Sequence, residues 1–117
     1  MAEFNVNLRG VGSVSVIDVK GYLDAHTAPE LENIFNKLLD ERQFKVVVNF
    51  NELKYISSAG LGVFMAYVET MRENKGDIKF SNMKENVYNI FDLLGFPILY
   101  EFYKEEKEAV HKFGDQG

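Results

Sequence analysis

Residues 44–63 hold two periodicities back to back, and few folds accommodate both. Phe44-Lys45-Val46-Val47-Val48 is short and β-branched, the composition of a buried strand. Leu61, Phe64, Met65, Val68 and Met71 then recur at helical spacing, which makes them the core face of a helix. Between the two runs stand adjacent serines, Ser57 and Ser58, where a loop is expected to hand the chain to the first helical turn. Ser58 is the expected N-cap, its hydroxyl accepting a hydrogen bond from an N–H that the helix leaves unpaired. Ala59, Gly60 and Gly62 keep the following turn almost free of side chains. Nothing bulky shields the hydroxyls.

The flanking segments extend the same architecture. Phe4, Val6 and Leu8 alternate with Asn5 and Asn7, a strand period, and Gly10-Val11-Gly12 interrupts it. Val14 to Val19 forms a second strand, the expected hairpin partner, and Tyr22 to His26 reads as a loop. Thr27 and Glu30 have capping-box spacing, and Pro29 suits a first helical turn. Leu31, Ile34, Phe35, Leu38 and Leu39 then line one helical face. Ile78 and Phe80 mark a fourth strand; Val87, Ile90, Phe91 and Leu94 mark a third helix, closed by Gly95. Pro97 is expected to break the chain before a short final strand, Ile98 to Phe102. Lys104 to Phe113 reads as a weakly held helix whose main apolar residues are Val110 and Phe113, with residues 114–117 a loose end. The predicted class is α/β: a mixed β-sheet with an N-terminal hairpin and about four helices packed on it, one domain over residues 1–117. Sites on such sheets lie where strand ends meet helix N-termini, which is where the serines stand.

Composition removes several functions. The chain has 117 residues, 46% hydrophobic and 26% charged, an ordinary balance for a packed soluble domain. No run approaches the roughly 18 apolar residues of a membrane helix, and the N-terminus lacks the basic and apolar regions of a signal peptide. A cytoplasmic location is the default expectation. Cysteine is absent, so disulfides, thiolate metal sites and thiol nucleophiles are absent together. The formal charge of −5, with arginine only at Arg9, Arg42 and Arg72, argues against a nucleic-acid partner. His26 and His111 stand far apart without ligand spacing, so no metal site is expected. Met65 and Met71 are core residues by periodicity rather than parts of a cofactor pocket, and no cofactor is expected.

The segment Tyr55-Ile56-Ser57-Ser58-Ala59-Gly60-Leu61-Gly62-Val63 resembles the signature of the STAS domain, the fold of the bacterial anti-sigma factor antagonists. Gly21-Tyr22-Leu23-Asp24, followed by Thr27-Ala28-Pro29-Glu30-Leu31, is similar to an earlier segment of that family. The likeness runs in order from about Phe4 to Tyr103. It implies a regulatory domain that is not an enzyme. In that reading the unmodified form binds an anti-sigma factor, usually a serine kinase with an ATP-binding fold, and so frees a sigma factor. Phosphorylation then releases the antagonist, and a metal-dependent serine phosphatase resets it. The resemblance places Ser58 at the phosphorylated serine and Ser57 where many members carry aspartate. Ser57 is therefore the second-choice target.

From the residues alone, a serine before a helix is ordinarily a cap, contributing about 1 kcal/mol. Gly60 and Gly62 match no nucleotide loop; they are consistent with close packing on the sheet or with close approach by a partner. Asp24 and His26 read as turn chemistry. By the resemblance, Asp24 helps a kinase recognise the site or orients the serine hydroxyl. A hydrolytic triad from these groups would still lack a general base and an oxyanion hole. The expected partner surface comprises Asp24, Tyr55, Ile56, Ser57, Ser58, Gly60 and Gly62, with Leu61 and Val63 partly structural. The alternative reading keeps the fold but makes the chain an unmodified scaffold of a signalling assembly. A small hydrolase or nucleotide-binding protein comes third.

Overall fold

A computed structural model describes residues 3–114. The Asp115–Gly117 part of the expected loose end, and Met1 and Ala2, lie outside the described residues. The strands are β1 (Phe4–Val11), β2 (Val14–Leu23), β3 (Lys45–Ile56), β4 (Asp77–Ser81) and β5 (Phe102–Tyr103). The helices are α1 (Ala28–Asp40), α2 (Ser58–Glu73), α3 (Glu85–Leu93), α4 (Phe96–Leu99) and α5 (Glu106–Lys112). They build one five-stranded mixed sheet in the order β1-β2-β3-β4-β5. β1 and β2 pair antiparallel as the expected hairpin, and each later neighbour pairs in parallel. Gly12 takes φ 62° in the two-residue connection, the left-handed backbone that tight hairpins demand.

The strands alternate inward residues between two unequal cores. On the larger face, Ile17, Val19, Val46, Val48, Phe50 and Phe80 meet α1, α2, α3 and α4. Phe80 sits at the centre of an aromatic cluster, within 5.0–5.5 Å of the ring centroids of Phe50, Phe64, Phe91, Phe102 and Tyr100. On the opposite face Val14, Val16 and Val47 pack under Ala109 of α5. The fifth helix, where about four were expected, is the single turn α4.

Three expectations are corrected around these elements. Ile98 to Phe102 is not a strand: Gly95 (φ 80°) turns the chain after α3, and Pro97 fits the first turn of α4, so only Phe102 and Tyr103 are left to pair with β4. Leu94, expected on the inner face of α3, is exposed at the helix end, and Met65, expected in the core, is also exposed. α5 is firmly anchored. The Glu105 amide donates to the Glu108 carboxylate at 3.1 Å, and Arg9 on β1 donates both to Asp18 (2.7 Å) and to Glu106 (3.0 Å). Lys79 lies 4.7 Å from the centre of the Phe113 ring. Ala109, a small residue that periodicity undervalues, supplies the buried contact.

Candidate functional site

The site begins with irregularities in β3. Against β2 its register slips between Asp18 and Lys20 and again between Gly21 and Tyr22, β3 carrying one extra residue each time. Each bulge turns the strand over. Phe50, Leu53 and Ile56 therefore all face the core although they are three apart, and Tyr55 falls opposite Tyr22 on the other face. The strand continues to Ile56, so Tyr22, Leu23, Tyr55 and Ile56 belong to strands and not to loops. Ser57 alone connects β3 to α2.

That geometry reassigns the cap. Ser57 keeps the extended backbone of the strand (φ −102°, ψ 174°), its carbonyl accepts the Leu61 amide at 3.0 Å, and its Oγ accepts the Gly60 amide at 3.4 Å. Ser57 is the N-cap; Ser58, expected in that role, is the first helical residue. Its side chain is exposed, as is Ala59. The two glycines differ in duty. A Cβ on Gly60 would lie 2.7 Å from Leu23 Cγ and 3.0 Å from Ile56 Cγ1, whereas one on Gly62 would meet nothing within 4 Å. Gly60 is required by packing and Gly62 is not.

The loop before α1 is built around Asp24. Its Oδ1 accepts the amides of His26 (2.9 Å) and Thr27 (3.1 Å), the self-closing turn that Asx residues favour. The expected capping box is not formed. Thr27 already has helical backbone angles, and its hydroxyl donates to the Tyr22 carbonyl at 2.8 Å while accepting the Asp24 amide at 2.9 Å. Thr27 fastens the loop to the end of β2 instead. Because Leu23 pairs with Ile56, Asp24 emerges on the neighbouring strand end, beside the serines.

Of the residues singled out from sequence, Ser58, Ser57, Gly62 and Tyr55 share this end of the sheet with Asp24. Ile56 (3% exposed) and Gly60 are buried, so they act on the surface through the positions they hold. Leu61 and Val63 are core residues. Sequence reasoning passed over Tyr22, whose ring lies 6.2 Å from that of Tyr55, both exposed. The signal was the alternation Tyr22-Leu23 and Tyr55-Ile56, once both segments are taken as strands. Among the described residues no cluster of three or more His, Asp or Glu side chains could hold a metal, and no helix is long and apolar enough to cross a membrane.

The site is thus an exposed serine at the first turn of the helix that follows the central strand of a mixed five-stranded sheet. The chain matches the model of the STAS domain over residues 5–109 and belongs to that family. An anti-sigma-B factor antagonist of Staphylococcus epidermidis is 29% identical over 93 residues, 78% of this chain and 86% of that protein. The crystal structure of an anti-sigma factor antagonist from Mycobacterium paratuberculosis superposes with a TM-score of 0.87 at 20% identity, covering 97% of this chain and 96% of that one. The Bacillus cell fate determinant SpoIIAA in its phosphorylated form gives a TM-score of 0.71 at 18% identity, covering 94% and 98%. The chain is thus a STAS domain similar in sequence to anti-sigma-B factor antagonists.

Proposed function

We propose that this protein is a cytoplasmic, non-enzymatic partner switch. It binds an anti-sigma factor of the serine-kinase type while Ser58 is unmodified, freeing a sigma factor, and phosphorylation of Ser58 turns it off. The observation that carries the reading is the division between the two serines. Ser57 uses its hydroxyl to cap α2, while Ser58 holds its own in the open on the first helical turn. The partner supplies ATP. The Ser58 oxygen forms a bond to the γ-phosphorus as the bond to the bridging oxygen breaks, ADP leaves, and the hydroxyl proton passes to a base of the kinase. Metal-dependent hydrolysis by a serine phosphatase would restore the hydroxyl.

The phosphate adds about −1.5 to −2 charges. At the N-terminus of α2 it meets amides with no intrahelical acceptor and the positive end of the helix dipole. The first turn of α2 has no acidic residue to oppose it. The Asp24 carboxylate on the neighbouring strand end is engaged by the His26 and Thr27 amides, so the domain takes up the anion with little rearrangement, and the effect falls on whatever covers the first turn. The test is mass spectrometry of the protein from its native cells, comparing wild type with Ser58→Ala and Ser57→Ala. One phosphate lost only in Ser58→Ala supports the reading. Loss only in Ser57→Ala would move the switch to the cap, and no phosphate under growth or stress would favour an unmodified scaffold.

A further inference from the structure

α2 presents one continuous outward line. Ser58, Gly62, Met65, Glu69 and Arg72 follow at steps of four, three, four and three, the repeat of a single helix face. At one end is Ser58. At the other, the Arg72 guanidinium donates to the Leu99 carbonyl of α4 and pairs with Asp77 at 2.8 Å. Between the two helices runs an open groove of about 590 Å³, lined by Met65, Val68, Glu69, Leu99 and Tyr100 among others. Beside it the α3–α4 corner stands in water: Leu93 is 86% exposed, Leu94 57%, Ile98 88% and Leu99 59%. Apart from Tyr22 and Tyr55, the large exposed apolar side chains among the described residues are Met65 and Leu99, which line the groove, and Leu93, Leu94 and Ile98 at the α3–α4 corner. A cluster of that kind on a soluble domain marks a surface that another molecule covers.

We infer that this groove is the second half of the docking surface for the anti-sigma partner, and that it takes an apolar helix face flanked by Lys or Arg. The inference rests on the function proposed above. Ser58 and Met65 are seven residues apart, roughly 10 Å along the helix, well inside one footprint of about 800 Å² per partner. The rim chooses the occupant. The groove's cation, Arg72, is engaged by Asp77, whereas Glu69 and Glu73 form no ion pair among the described residues, and the chain carries a net −5. Two copies of this face would set like charges together, whereas a basic partner complements them. Affinity then resides in the groove and control at Ser58.

The test is calorimetric titration of the full chain with the purified anti-sigma factor from the same cells, using wild type, the double variant Ile98→Ser/Leu99→Ser, and Ser58→Glu. Both substituted apolar side chains are exposed, so the melting temperature should match wild type. Binding about tenfold or more weaker in the double variant supports the groove. Wild-type affinity in that variant, with Ser58→Glu still defective, would overturn the groove and leave the serine switch standing. A wild type that binds no anti-sigma factor would overturn both. Sedimentation of wild type alone gives a further outcome: a dimer dispersed by the double variant would overturn the inference in favour of a second copy.

Discussion

The Ser57 amide donates to the Leu23 carbonyl at 2.9 Å, carrying the parallel β2–β3 ladder one step past its last pair and into the residue that caps α2. The serine pair is therefore fixed to the sheet by backbone bonds before any side chain is considered. Gly60 makes that closeness possible, because α2 begins in contact with Leu23 and Ile56.

The two serines should separate by stability. Ser57→Ala removes the cap and should cost about 1 kcal/mol. Ser58→Ala removes an exposed hydroxyl and should leave the thermal midpoint nearly unchanged. Paired thermal melts check this, and equal losses from both substitutions would refute the assignment of the cap.

The two glycines should respond in opposite directions. Gly60→Ala forces a methyl into Leu23 and Ile56, and overpacking of this kind costs about 1–3 kcal/mol. Gly62→Ala meets open space and should stabilise α2, by up to about 1 kcal/mol. If the outer face of α2 is a docking surface, the same methyl should weaken partner binding, an effect readable by titration in a variant that melts higher.

Removing Phe80, buried at the centre of five aromatic neighbours, should be the costliest single truncation. Phe80→Ala is expected to lose about 3–5 kcal/mol in urea unfolding. A loss well below that range would mean the cluster collapses around the gap.

The attachment of α5 should depend on acid. The Arg9 guanidinium, by hydrogen bonding first and charge second, holds the carboxyls of Asp18 and Glu106 below their usual range. Lowered folded values mean that the stabilisation is complete above the unfolded pKa, about 4, and is lost as pH falls through the folded values. These groups are partly exposed, so after solvent screening the gap between wild type and Arg9→Leu should be about 1 kcal/mol at neutral pH. It should close as the pH falls below about 4. A gap independent of pH would place the contribution of Arg9 in packing rather than charge.

How much could be read from the residues follows the same physics. The hairpin, α1 and the start of β3 were legible because one face of each is apolar at a regular period. The end of β3 was not, since its two bulges reset the period and make a strand look like a loop from Asn51 to Tyr55. The same bulges make Ser58 the expected cap: with the strand ended early, the second serine is the natural boundary. α4 was hidden by Pro97, which ends one helix as readily as it begins another. The hold on α5 was invisible because its main contacts, Arg9 and Ala109, are respectively distant in sequence and small. Asp24, Tyr55 and the two serines share one end of the sheet wherever the element boundaries are drawn.

Arg9 and Glu106, which hydrogen-bond across the sheet, are separated by 97 positions in the chain. During synthesis the first exists long before the second, and domains form as their chain emerges from the N-terminal side. The hairpin precedes α5 in synthesis, so β1 is not tied to α5 until the chain has been made as far as Glu106. The small core under Ala109 is therefore the last part of the domain to close: without α5, Val14, Val16 and Val47 lose the cover that Ala109 gives them.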